Sequence, residues 1–272
     1  MREFARIVRY DALSGLASWR WLAVPVVFGL ACWSEVSYLL VDRQASVNVW
    51  DGPLSMLQNQ YVVIFGLGLG FLLVLGDRYP HDRSRGTVAL TVIRTRSRTK
   101  WWLGRLASVG VLALAFSALG LGGALLVSAI RLPLDLDPST AALLPFDVEA
   151  ALYPRFEGLP MPIFFGFVVL YTALALWPLG ALIVAASVLR PAPYVPIGVA
   201  MVWVLLEAFA LPDLFLRGHD SADPFYHLLF GVHFQTPRGV EPTSWLWSAL
   251  VTSAALGLAG AVGALTLRRS DV

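Results

Sequence analysis

Two carboxyls, Glu35 and Glu207, stand inside long apolar blocks of a 272-residue chain. In such surroundings a charge is costly unless it is neutralised, paired or hydrated. Groups of this kind line polar paths through membranes or hydrogen-bond across helices as neutral acids. Glu207 lies nearer the middle of its block and is the translocation-path candidate; Glu35 lies towards one end. Residues 217–243 hold His219, His227 and His233 with Asp220 and Asp223. Such donors could bind a metal, yet their spacing gives no two histidines at i, i+4 and no HExxH arrangement, so no metal site is expected. The apolar Phe225, Tyr226, Leu228, Leu229, Phe230 and Phe234 among them suggest a short element dipping into an interface. A single cysteine, Cys32, excludes an intramolecular disulfide and a CxxC site. There is no GxSxG, and the only lysine, Lys100, follows no glycine-rich loop, so the chain has no Walker A site. No catalytic and no cofactor-binding residue is assigned.

The elements that must position these groups are helices in a bilayer. The chain is 57% hydrophobic and 14% charged, with mean hydropathy +0.69. A soluble domain is nearer a quarter charged, so a water-soluble globule is excluded. Apolar blocks of about twenty residues, each sufficient to cross a hydrocarbon layer of about 30 Å, predict six spans. These are Trp21–Val41, Met56–Gly76, Trp101–Ile130, Met161–Leu189, Val195–Leu216 and Trp245–Leu267, with Pro178 offering a kink in the fourth. The expected architecture is an all-α integral membrane protein forming one domain over residues 1–272.

Orientation follows from the basic residues, which are retained in the cytoplasm. Fifteen, including Arg2, Arg6, Arg9, Arg83, Arg85, Arg105, Arg268 and Arg269, fall on one side of the predicted spans and five on the other. Both termini are therefore expected in the cytoplasm, with outer loops at 131–160 and 217–243. Trp19, Trp21, Trp101, Trp102 and Trp245 fall near predicted interfaces, where tryptophan is enriched. The first span reads as a retained signal anchor. Ahead of it, within residues 1–20, Phe4, Ile7 and Val8 fall to one helical side with Arg2, Arg6 and Arg9 available to headgroups, predicting an interfacial helix. A frayed tail is the plainer alternative.

The connection after span two, from Gly76 to Arg105, carries eight basic residues in thirty positions. Pro80 can start a helix, and Val88, Leu90, Val92 and Ile93 mixed with charge suggest a short amphipathic element. Charge alone is equally explained by retention on the cytoplasmic side. The order of residues adds to this: Asp82-Arg83, Gly86-Thr87, Leu90, Arg96-Ser97-Arg98 and Gly104-Arg105. This order resembles the corresponding connection of ABC-2 type transporter permeases, as do the six spans, the N-terminal helix and the Arg268-Arg269-Ser270-Asp271 ending. The chain departs from the family in Arg105, where lysine is usual, and in a hydrophobic turn poorer in leucine and proline.

The resemblance implies a coupling helix within residues 77–100 that docks on a separate ATP-binding subunit through Asp82, Arg83, Arg85, Gly86, Thr87 and Leu90. It implies a permease subunit of an exporter that moves a hydrophobic or amphipathic compound and works with a second copy or a related permease. ATP and magnesium would be held by the partner ATPase, with no cofactor on this chain and no nucleic acid involved. The expected location is the cytoplasmic membrane of a prokaryote, with multiple passes through the bilayer. Small residues in span two, Gly66 and Gly70, and in span six suit close helix packing. The competing reading is a polytopic membrane enzyme acting on a lipid-like substrate at the outer face.

Overall fold

A computed structural model describes residues 2–42, 47–75, 81–82, 97–139, 159–189, 192, 194–217, 222–233 and 243–269. Helices account for every regular element among them. In chain order they are α1 (Arg2–Leu16), α2 (Arg20–Asp42), α3 (Asp51–Met56), a π-helical stretch (Val62–Leu69) continuing into α4 (Gly70–Leu75), and α5 (Arg98–Arg131). Then come α6 (Met161–Leu189), α7 (Tyr194–Arg217), two short 3₁₀ turns (Tyr226–Leu228 and Phe230–His233) and α8 (Trp245–Arg269). Four helices, over Arg20–Leu40, Arg98–Arg131, Met161–Leu189 and Trp245–Arg268, are long and apolar enough to cross a membrane. The other two expected crossings coincide with shorter apolar helices, Val62–Leu75 and Tyr194–Phe209.

The predicted start of span two needs correcting. Met56 closes α3, and the next helix begins only after a turn at residues 57–59. Glu35 explains the turn: its carboxyl accepts from Asn59 Nδ2 at 3.0 Å and from Ser55 Oγ at 3.3 Å. Polar groups on both sides of the turn are thereby tied to α2, and an apolar run that reads as continuous is divided in two.

The 34-residue α5 is the strut of the bundle. Ser97 caps it, its hydroxyl accepting from the Lys100 amide at 3.2 Å. Among lipid tails apolar burial gives helices little reason to associate, so contact depends on close approach, packing and interhelical hydrogen bonds. Gly123 supplies the approach to α2: a Cβ there would stand 2.7 Å from both the Cα and the carbonyl oxygen of Pro25. Two turns earlier on α5, Phe116 takes Phe28 of α2 edge-on at 5.8 Å and meets the tilted ring of Phe71 of α4 at 5.3 Å. Hydrogen bonds join the other neighbours. Trp102 Nε1 donates to the Gly260 carbonyl of α8 at 3.1 Å, and Trp177 Nε1 of α6 donates to the Leu106 carbonyl at 2.8 Å. The helix α6 runs unbroken through Pro178.

Several tryptophans expected at headgroup level serve the interior instead. Trp21, Trp101 and Trp102 are buried, and the Trp21 indole donates to the Gly15 carbonyl at 2.8 Å, closing the α1–α2 corner. Trp19 is exposed. The bundle has two distinct ends. The start of α5 and the close of α8 share one with α1, through Arg98 Nη1 on the Leu267 carbonyl at 2.7 Å and Ile7 against Gly104. At the opposite end Arg131 Nη1 donates to Ser37 Oγ at 2.6 Å, with its guanidinium over the Trp33 ring.

Overpacking at a backbone contact of this kind costs about 1–3 kcal/mol or more. Gly123→Leu is therefore expected to lower the thermal midpoint in detergent measurably, whereas Gly122→Leu, at a position with open space beside it, should not. Equal effects of the two substitutions in a thermal-shift assay would contradict the packing described.

Candidate functional site

The site lies at the α1 end of the bundle and is organised around Arg105, on the second turn of α5. Its guanidinium is buried, and Nη1 faces two carboxylates, Asp82 Oδ2 at 2.8 Å and Asp11 Oδ1 at 3.2 Å. Asp11 comes from α1, and its other oxygen accepts from Ser108 Oγ, one turn along α5 from Arg105. Trp101 lies beneath the guanidinium, 5.9 Å from its ring centroid. The Asp11 and Arg105 side chains are almost wholly enclosed, whereas that of Asp82 is 31% exposed. Charge removed from water must be matched where it stands. Three stretches of chain far apart in sequence are therefore held in one place: α1, residues 81–82 and the start of α5.

The helical repeat explains how α1 delivers Asp11. Ile7, Asp11 and Ser14 succeed one another at spacings of four and three along one face. Ile7 meets Gly104, Asp11 meets Arg105, and Ser14 Oγ closes on the Asp11 carbonyl at 3.0 Å. The face that presents Ile7 thus packs on α5. Asp11 escaped the sequence reading, which followed the basic and apolar residues of this segment. An acid on the Ile7 side of an amphipathic helix was the available signal.

Of the residues expected to dock a partner, the structure places Asp82. Arg83, Arg85, Gly86, Thr87 and Leu90 lie outside the described residues. The pairing of Asp82 with Arg105 joins the first and last residues of the stretch that resembles the permease connection.

Glu207 is buried within the protomer. On α7 its Oε1 accepts from Trp203 Nε1 at 3.0 Å, and its carboxyl lies beside that of Asp223. Oε2 is buried with no hydrogen-bond partner among the described residues. The Trp203 ring meets Phe225 edge-on at 4.9 Å. Glu207 therefore faces the segment 222–233, while Met201, Val202, Leu205, Leu206 and Phe209 occupy the exposed side of α7. In the π-helical stretch Gly68, between Gly66 and Gly70, is the residue on which Phe225 closes: a Cβ there would overlap the ring. Gly66 and Gly70 have ordinary contacts.

The end opposite α1 carries a clasp centred on Asp51, which is fully buried. Asp51 Oδ2 accepts from the Asn48 amide at 2.6 Å, and Oδ1 accepts from Ser139 Oγ at 2.9 Å. Asn48 Nδ2 and Trp50 Nε1 donate to the Asp137 and Asp135 carbonyls at 2.8 and 2.6 Å. The loop ahead of α3 is thus buttoned to the loop after α5. Its signal was an asparagine three residues before an aspartate, in Asn48-Val49-Trp50-Asp51, the spacing of a side-chain-closed turn.

These features define an all-helical protein with long apolar helices, compatible with a membrane protein. Residues 22–143 match the model of a family described as a protein of unknown function, DUF2705. The match runs from α2 through α5 and includes Asp51, Asp82 and Arg105. No curated protein matches the chain.

Removing the cation that both carboxylates face is expected to cost about 3 kcal/mol or more, as for a buried ion pair that loses one partner. Arg105→Met should therefore lower the thermal midpoint strongly. Arg105→Lys, which keeps the charge as a compact ammonium, should retain much of the stability. A thermal-shift series with both variants and Asp11→Asn checks this, and Arg105→Met behaving as wild type would show that the cluster holds nothing.

Proposed function

We propose that the chain is the permease subunit of an ATP-driven exporter of the ABC-2 type, moving a hydrophobic or amphipathic compound with energy from a separate ATP-binding subunit. The observation that carries this reading is the Asp11–Arg105–Asp82 cluster. A docking segment is useful only if its displacement reaches the spans. Asp82 stands at the entrance of the stretch that resembles the family's coupling helix, and its partner is on the longest helix of the bundle. A push on residues beyond Asp82 would pass through the ion pair to α5, and through Asp11 to α1. Ion pairs with short, directed contacts are stiff linkages, and a change of state requires such differential contacts.

In this reading the four long helices are joined by Val62–Leu75 and Tyr194–Phe209 as the second and fifth of six spans. Both termini face the cytoplasm of a prokaryotic cell, and α1 lies along the membrane surface. A second permease, identical or related, completes the path. ATP and magnesium belong to the partner ATPase. Glu207 would act on the path from inside the protomer, through the segment it touches.

The enzyme reading has one contact in its favour, Ser248 Oγ at 2.7 Å from His227 Nδ1. Both side chains are buried, which suits packing better than attack on a substrate.

Purification from detergent extract tests the proposal. An ATP-binding subunit is expected to copurify, and Gly86→Trp with Thr87→Trp should release it while leaving the bundle folded. Recovery of the chain alone, with hydrolytic or transferase turnover, would instead support the enzyme. Glu207→Gln is expected to change transport without disturbing assembly, and unaltered transport in reconstituted vesicles would make the residue purely structural.

A further inference from the structure

Residues 225–230, 232 and 233 are buried although they lie between two helices and form only short 3₁₀ turns. Phe225, Tyr226, His227, Leu228 and Val232 are almost wholly enclosed. The polar side chains of this segment converge on one cluster. His233 Nδ1 is 2.7 Å from the Thr243 carbonyl, and since a carbonyl only accepts, Nδ1 carries the hydrogen. Nε2 of the same ring is then the position that gains or loses a proton. It lies 2.9 Å from Tyr171 Oη of α6 and 3.3 Å from Ser248 Oγ of α8. Tyr171 Oη also donates to the His227 carbonyl at 2.7 Å, and Ser248 Oγ is 2.7 Å from His227 Nδ1. The His233 ring is stacked on Trp245 with centroids 3.8 Å apart. The two imidazoles thus fasten the segment to α6 and to the first turn of α8.

We propose that this cluster is a proton-sensing latch: at neutral pH it holds the segment 225–233 against α6 and α8, and acid loosens it through His233. The donors explain why proton number matters. With both rings neutral, His227 Nδ1–H can donate to Ser248, Ser248 to His233 Nε2, and Tyr171 to the His227 carbonyl. Every hydrogen then has an acceptor. A proton added at Nε2 makes it a donor to Tyr171, and the Ser248 hydroxyl, still accepting from His227 Nδ1–H, loses Nε2 as its acceptor. One bond of the cluster is lost, and an imidazolium now sits among aromatic rings in a buried position, with a second imidazole close by.

Burial, the largest effect, and the neighbouring His227 both push His233 down, from 6.5 to about 4, against an upward pull from its bond to Thr243. A depressed imidazole favours the fastened state when neutral. The latch is therefore complete above the ordinary value and is lost progressively as pH falls from there towards about 4. Among the described residues the titratable groups facing the rings are the Tyr171 phenol from α6 and the Tyr226 phenol and partner imidazole from the segment itself; α8 contributes Ser248 and Trp245. Asp223, at the start of the segment, and Glu207 of α7 beside it supply carboxyls. Nothing in this inference depends on the chain being a transporter.

Hydrogen–deuterium exchange of the full chain in detergent tests it, with rates corrected for the pH dependence of intrinsic exchange. Between about pH 7.5 and about pH 5, protection of the amides of 225–233 is expected to fall about tenfold or more, while α5 is unchanged. His233→Asn, whose side-chain amide can still donate to Thr243, should flatten the response, and His227→Asn should keep it. If His233→Asn does not assemble, His233→Gln is read in the same way. A wild type without pH dependence overturns the proposal, as does a response that survives loss of the His233 ring or one shared equally by α5.

Discussion

A guanidinium enclosed at the start of a long apolar helix must find anions where it stands, and this constraint organises one end of the molecule. Arg105 is too near the end of α5 to be buried by that helix alone. It becomes buried because α1 folds across it and residues 81–82 return to it, each bringing a carboxylate. The arrangement needs all three pieces. Without Asp11, α1 would have a surface to lie on but no fixed register along α5. Without Asp82, residues 81–82 would lose their ion pair with α5.

From that end the rest of the bundle is set by α5. Its small residues admit α2 at one level, its aromatic Phe116 gathers α2 and α4 at the next, and its tryptophan and carbonyl groups bond to α8 and α6. At the far end polar groups again take over. Asp51, Arg131 and the loop carbonyls between them close the molecule, where apolar contact between helices would contribute little in lipid. The histidine cluster repeats the same logic for the segment after α7, which has no long helix of its own and is held by side-chain hydrogen bonds.

The long elements were legible in the sequence because each is a continuous apolar stretch of chain. The predicted limits of α6 coincide with those found, and those of α2, α5, α7 and α8 lie within three residues of them. Where prediction failed, polar side chains had divided an apolar run, as Glu35 does with Ser55 and Asn59. Tryptophans read as interfacial proved to be interhelical donors, because an indole next to a carbonyl and an indole next to a headgroup look alike in one dimension. Asp82 and Arg105 were singled out as parts of a pattern, but the pattern could not say that they touch, nor that Asp11 joins them.

What the sequence determined by itself is therefore whatever depends on a continuous stretch of chain: where the long apolar helices run, the asymmetry of charge, and the lack of a Walker A motif. What only the tertiary structure decided is which isolated polar residues meet. Asp11 and Arg105 have α2, α3 and the π-helical stretch with α4 between them, and His233 reaches Tyr171 past α7, so no local period links them. Their partnerships arise from the low-dielectric surroundings that folding itself creates, in which each buried polar group must find a match.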